Sequence, residues 1–245
     1  MEHRPGHHAG HQGRHGGAAH RPGRGALQPP LGRRELAAGR RVERRRRRAG
    51  PGVPRADLAR LDRAAAGHEP ASVLSYPLVS RGERFPFLAP DAEPFTLGTP
   101  SGDSDLYASL LQGVAFVERL CLAYVTLLGA RIDGPVAFTG GATGSPYWNQ
   151  LRADVLGRPA TVPEQADSAL GMAVLAAHGV TSAERPGPSA PPLSALRPMV
   201  RLRTVLEPRP EVSRRFHEPF AALVDEWERR GWLPPETAAY AREHG

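Results

Sequence analysis

Apolar positions recur every three or four residues between 104 and 128, where Leu106, Leu110, Val114, Val117, Cys121, Tyr124 and Leu128 fall on one face of a helix. Asp103 and Ser104 stand at its start as side chains able to accept from free helix amides, and Gly129 stands at its end. An amphipathic helix over about 104–128 is therefore predicted. Downstream, Pro135-Val136-Ala137-Phe138-Thr139 reads as a short buried strand that runs into Gly140-Gly141. Ser145-Pro146 then places an N-cap before a proline at the first helical position, and a helix continues through Leu151, Val155 and Leu156 to a stop at Gly157.

The same alternation continues. Thr161-Val162 reads as a brief strand, and Ala166 to Ala177 as a small-residue helix capped by Asp167 or Ser168 and closed by Gly179. Residues 183–194 are rich in Pro, Ser and Ala and read as an exposed loop. Met199 to Leu206 reads as a strand or a helix end. Glu211 to Arg230 reads as one helix with Val212, Phe216, Phe220, Leu223, Val224 and Trp227 on its apolar face. Upstream, residues 72–79 read as a short strand and 82–87 as a loop, while Pro90, Pro94 and Pro100 prevent a long helix before Gly102. Short strands alternating with helices predict an α/β fold.

Composition changes the picture mainly at the N-terminus. Residues 1–55 carry 14 Arg and 3 acids and residues 56–245 carry 18 Arg and 22 acids, so the net charge of +7 divides into +11 and −4. The first segment has hardly any large apolar side chains to offset the entropy of ordering, and it reads as a disordered tail. Residues 56–71 then read as a linker, 72–232 as the folded domain and 233–245 as a C-terminal tail. Arg44 to Arg48 raise nucleic-acid binding, but no aromatic side chains are interleaved to stack on bases. Histidines 3, 7, 8, 11, 15 and 20 raise metal binding, but they lack paired ligand spacing. Neither is retained as a function, and no metal-ligating residue is named. Every basic side chain is Arg and none is Lys, a bias that GC-rich codons produce as readily as selection does.

Cys121 cannot form an intramolecular disulfide and reads as a buried, inert thiol, in keeping with a reducing compartment. The longest apolar run, residues 113–130, is interrupted by Glu118 and Arg119, and the N-terminus has no apolar signal-peptide core. A soluble cytoplasmic protein is expected.

A strand feeding a Gly-Gly turn and a capped helix can hold a nucleotide, because glycine lets backbone approach a ligand and a helix start offers oriented amides. The same arrangement also serves as a plain connector, and it is neither a Walker loop nor a dinucleotide fingerprint. The neighbouring residues make it specific. Thr139-Gly140-Gly141-Ala142, with Ser145, Trp148, Gln150, Ala153-Asp154 and Gly157-Arg158-Pro159, resembles the adenosine motif of the FGGY carbohydrate kinases, such as xylulokinases and gluconokinases. Asp105-Leu106 with Ser109-Leu110-Leu111-Gln112-Gly113 is similar to the end of the family's second signature, although Pro94 and Thr96 depart from its start. Gly82-Glu83-Arg84, Pro90-Asp91-Ala92 and Ala169-Leu170-Gly171-Met172-Ala173 resemble further family segments in the family's order.

The resemblance implies the C-terminal lobe of an actin-like ATPase (ribonuclease H-like) fold, with ATP and Mg²⁺ as cofactors and a sugar or polyol as phosphoryl acceptor. It implies that Gly140, Gly141 and Ala142 line the adenosine pocket. Ser145 and Gln150 are further candidates, with helix capping and surface exposure as their competing readings. The family's catalytic aspartate and phosphate loops have no counterpart before residue 72, so no catalytic residue is named. Asp103, Asp105 and Asp167 suit helix starts, Asp133 a turn, and Asp91 and Asp154 the surface. The expectation is a truncated, ATP-binding family member that is inactive by itself. The alternative is a non-catalytic nucleotide-binding or partner module completing a separately encoded lobe.

Overall fold

The computed structural model describes residues 55–185 and 187–245, so all of the expected tail over residues 1–55 except Arg55, which opens a helix, lies outside the described residues. The region read as a linker contains helix α1 (Arg55–Ala65). Strands β1 (Leu74–Tyr76) and β2 (Phe95–Leu97) then pair antiparallel, with Ser75 opposite Thr96. Helix α2 (Asp103–Leu127) follows, and after it β3 (Val136–Ala137), a 3₁₀ turn (Gly141–Gly144) and α3 (Pro146–Leu156). Strand β4 (Ala160–Pro163), helix α4 (Ser168–Glu184), strand β5 (Leu202–Leu206) and helices α5 (Pro210–Arg215), α6 (His217–Arg229) and α7 (Pro235–His244) complete the order. The second sheet runs β3-β4-β5, with β3 parallel and β5 antiparallel to β4.

Helix α2 is the spine. It has the length and hydropathy of a membrane span, yet 61% of that stretch is buried inside the protein, and α1, α3, α7 and β1 all pack on it. Its most buried stripe is not the amphipathic one. Ala108, Gln112, Ala115, Arg119 and Ala123 are buried, whereas Leu106, Leu110, Val117, Cys121 and Tyr124 are half-buried and Leu128 is 59% exposed. Cys121, expected as a buried thiol, is accordingly half-buried.

The main core joins α2 to α3, α6, α7 and the β1-β2 pair through Phe116, Leu120, Trp148, Phe220 and Trp227. Tyr76 gathers Phe87, Phe95, Trp227 and Trp232 around it at centroid distances of 5.4–6.3 Å, within the range of favourable aromatic contact. A smaller cluster of Phe138, Ala153, Ala160 and Val162 seats α3 on the β3-β4 sheet. Above it Arg152 crosses to α2, donating from Nε to Glu118 Oε2 at 2.7 Å while its guanidinium lies 3.6 Å from the Phe138 ring centre.

Several elements depart from the sequence reading. Helix α2 begins after Gly102 without a side-chain cap, so neither Asp103 nor Ser104 serves as one. Helix α4 runs through Gly179 to Glu184, because its Ala, Leu and Met residues outweigh two unfavourable glycines, Gly171 and Gly179. The expected helix over 211–230 is two helices joined at Phe216, whose fully buried ring anchors the joint. The 183–194 loop contains 3₁₀ turns at Gly187–Ser189 and, continuing past it, Leu193–Met199. The segment read as a C-terminal tail is α7, with Ala238 and Ala241 fully buried against α2 and α6.

Candidate nucleotide-binding site

Parallel strands β3 and β4 end side by side, so the loops that follow them lie together at the carboxyl end, the side on which open α/β sheets bind ligands. The loop after β3 turns at Gly140, whose φ of +92° is open to glycine at little cost, and continues as the Gly141–Gly144 turn. The Gly140 N–H donates to Ala166 O at 2.5 Å, tying this loop to the one after β4. Thr143 fixes the turn from within. Its hydroxyl donates to Gly140 O at 2.7 Å, and its own carbonyl accepts from Asn149 Nδ2 at 2.9 Å and Arg203 Nη2 at 2.7 Å.

The five candidate residues separate into two groups. Gly141 is exposed and Gly140 half-exposed, so their backbone is open to a ligand, whereas Ala142 is 2% exposed and its methyl belongs to the main core. Ser145 is buried. It accepts from Trp148 N at 3.1 Å as the predicted N-cap and donates to Asp62 Oδ2 at 2.7 Å. Gln150 donates to Asp154 Oδ1 at 3.0 Å and Glu207 O at 2.9 Å, away from the Gly-Gly turn. The helix start is also less available than its sequence implies. Pro146 has no N–H and Trp148 N–H is taken by Ser145, so α3 presents little amide surface to an anion. Truncating Ser145 to Ala removes the cap and the hydrogen bond to Asp62 Oδ2. Urea unfolding is expected to show a loss of about 1–2 kcal/mol.

Asp154, expected at the surface, is fully buried. Its carboxylate accepts from Arg209 N at 2.6 Å, Nε at 3.0 Å and Nη2 at 2.7 Å, which fastens the chain after β5 to α3. Arg209 also reaches Glu69 Oε2 at 3.0 Å, and burial raises the Glu69 pKa against the pull of that guanidinium. Sequence reading missed Asp62, Asn149, Ala166 and Arg203, which position the turn. Only the short Asn149 contact had a local signal, because the other three lie 26 to 83 residues from their partners.

A cavity of about 820 Å³ lies on the other flank of β3, walled by α2, the 77–90 loop and the approach to β3. None of Gly140, Gly141, Ala142, Ser145 or Gln150 lines it. The nucleotide candidate is therefore the turn at the strand ends, and the cavity is a separate feature.

The chain folds as an α/β lobe with a glycine-containing turn at the carboxyl ends of two parallel strands. Residues 32–180 match the C-terminal domain of the FGGY family of carbohydrate kinases, a match that reaches upstream into the segment read as a tail. The chain belongs to that family. Its fold is similar to that of the xylulose kinase from Lactobacillus acidophilus, at 15% identity and a TM-score of 0.65, covering 79% of this chain and 38% of that one. It is also similar to the xylulose kinase from Rhodospirillum rubrum, at 25% identity and a TM-score of 0.56, covering 81% and 38%. A third similar structure is Plasmodium falciparum glycerol kinase with ADP, at 19% identity and a TM-score of 0.51, covering 68% and 33%. The lobe is the C-terminal one of the actin-like ATPase fold, and the chain spans 33–38% of the length of these kinases.

Proposed function

We propose that this chain is the adenosine-binding half of a cytoplasmic, ATP-dependent carbohydrate kinase, and that it transfers phosphate to a sugar or polyol hydroxyl only when a sugar-binding lobe completes it. The observation that carries this reading is the Gly140–Gly144 turn at the carboxyl ends of two parallel strands. Family membership and an ADP-containing structural neighbour support the choice of ligand. Because α3 offers few free amides, the turn suits the nucleoside end of ATP, with Gly140 and Gly141 supplying backbone and Ala142 and Thr143 holding the turn to the core.

Phosphoryl transfer also needs a base beside the acceptor hydroxyl and charge to stabilise the moving phosphate. Asp105, Asp154 and Asp167 are committed to hydrogen bonds within the fold, and Asp133 pairs with Arg131 at the surface. Mg²⁺ in kinases is held by one or two carboxylates together with the nucleotide's phosphates, and no residue of this chain is assigned to it. The chain by itself is therefore read as inactive. The other reading, a non-catalytic nucleotide-binding or partner module for a separately encoded lobe, shares the same turn and differs only in what the completed assembly does.

Isothermal titration of the full chain with ATP is expected to show one site. Gly141 is exposed and lies at an ordinary φ, so Gly141→Val keeps the thermal midpoint nearly unchanged while a side chain intrudes on the turn. Affinity for ATP is expected to fall by roughly tenfold or more, the cost of about 1.4 kcal/mol of lost contact. Equal affinity in the two proteins rejects this site, and turnover of a pentose and polyol panel by the chain alone rejects its incompleteness.

A further inference from the structure

Where the chain leaves α1 and meets the start of α2, three side chains of complementary chemistry stand in line. The Ser104 hydroxyl lies 3.1 Å from His68 Nε2, and across the ring His68 Nδ1 lies 3.5 Å from Asp105 Oδ1. This is the hydroxyl–imidazole–carboxylate order that turns a serine into a nucleophile, and its contacts are commonly looser before a substrate is bound. Asp105 sets the state of the ring. It is fully buried, and against the effect of that burial the donors of Ser72 and Ser101 hold its carboxyl well below the usual carboxylate range. Near neutral pH it is an acceptor only, which places the ring proton on Nδ1 and leaves the Nε2 lone pair to the Ser104 hydroxyl. Gln112, 2% exposed, holds the segment in place, donating from Nε2 to His68 O at 2.6 Å and accepting from Ala71 N at 2.9 Å.

Ser104 serves no other purpose in the helix. No side chain caps α2, and both Ser104 and His68 are half-exposed. Leu106 is the first residue of α2 whose N–H bonds back, to Gly102 O at 3.0 Å. The amides of Asp103, Ser104 and Asp105 precede that bond and have no carbonyl one turn back, so they remain as donors of the kind that stabilise a developing oxyanion.

We propose that Ser104 and His68, oriented by Asp105, form a second site, at which the serine takes short acyl groups from small carboxylic esters. His68 Nε2 removes the hydroxyl proton as Ser104 Oγ bonds to the ester carbonyl carbon. The bond to the alkoxy oxygen then breaks, and His68 gives that proton to the departing alcohol. Water clears the acyl-serine by the same route: His68 takes a proton from the water whose oxygen attacks the carbonyl carbon, then returns it to Ser104 Oγ as the carboxylic acid leaves. Neither Ser104 nor His68 lines the 820 Å³ cavity, so a long acyl tail finds no burial there and short ones are the class that fits. The inference is independent of the nucleotide reading, which uses other residues.

The test treats the full 245-residue chain with a fluorophosphonate, which forms a P–O bond to an activated serine with loss of fluoride, and reads the label at each serine by peptide mass spectrometry. Site-resolved reading is needed because the chain's ten histidines can hydrolyse an activated ester by themselves. Native wild type is expected to label at Ser104, and more slowly in excess p-nitrophenyl acetate. His68→Gln keeps a polar side chain but not a base, and is expected to label Ser104 roughly a hundredfold more slowly. Ser104→Ala is expected to lose the label, and circular dichroism checks the fold of both variants. Asp105 acts only through the ring, so its readout is ¹⁵N NMR of His68, expected to show the proton on Nδ1 in wild type and to lose that bias in Asp105→Asn. The proposal is overturned if Ser104 stays unlabelled, or if p-nitrophenyl acetate leaves its labelling unchanged. It is equally overturned if His68→Gln or the urea-unfolded chain labels Ser104 as fast as native wild type, or if the wild-type ring carries its proton on Nε2.

Discussion

Gly113→Ala is expected to lower the thermal midpoint by roughly 6–12 °C, a loss of about 3 kcal/mol or more for a domain of this size. Two effects oppose each other at this position, and their magnitudes decide the sign. In the interior of a helix, alanine is favoured over glycine by about 1 kcal/mol, so propensity alone predicts stabilisation. At Gly113, however, α2 lies directly on β1. A Cβ there would sit 1.9 Å from Ser75 O and 2.8 Å from Pro77 Cδ. The first contact is with backbone, which cannot rotate aside as a side chain can. Either α2 or β1 must move, and β1 also carries Tyr76, the centre of the aromatic cluster. Differential scanning calorimetry of the two proteins reads the result. A variant more stable than wild type would mean that the α2-β1 contact is not as close as described.

This glycine shows what the sequence could and could not disclose. Helix α2 was legible because its apolar spacing is local, and α3 because Ser145, Pro146 and Gly157 are start and stop signals within 13 residues; Gly157 indeed adopts φ +60°. The Gly140-Gly141 turn was legible as a connector, and its adenosine reading came from the ordered motifs around it. Nothing local marks Gly113 as a crossing point, since the strand it touches lies 38 residues away. Asp154 was read as surface because an isolated acid usually is. Its partner Arg209 stands 55 residues on, and only the return of the chain past β5 brings them together. The stripe on α2 was read correctly as apolar, but periodicity reports which face seeks cover and not whether that cover lies within the described residues.

Asp105→Asn is expected to cost about 3 kcal/mol near neutral pH, almost as much as Asp105→Ala, and that cost is expected to shrink in acid. Asp105 lies in the first turn of α2 and is fully buried. Its Oδ1 accepts from Ser72 N at 2.8 Å. Its Oδ2 accepts from the Ser72 hydroxyl at 2.5 Å, Ser101 N at 2.8 Å and the Ser101 hydroxyl at 3.1 Å. The carboxylate thereby joins the start of β1 to the start of α2, a role no cap preference predicted. Asparagine cannot replace it, because whichever way the amide turns, its NH₂ meets a backbone N–H. Burial pushes the Asp105 pKa up, but the four donors together outweigh it and hold the carboxyl well below the usual carboxylate range. A depressed native pKa stabilises the fold above the unfolded value, about 3.9, and that contribution is lost as pH falls through and below it. The wild-type advantage over Asp105→Asn should therefore be flat above about pH 5 and decline steadily below about pH 4. Glu226 titrates in the same acid region. Arg229, opposed by burial and aided by Arg230, holds it at about 2, so the wild-type curve alone would mix two groups. Subtracting the Asp105→Asn curve cancels the Glu226 share, because the two sites share no partner. Urea unfolding from pH 3 to pH 7 supplies both curves. A difference independent of pH would show that Asp105 acts through packing and not through its charge.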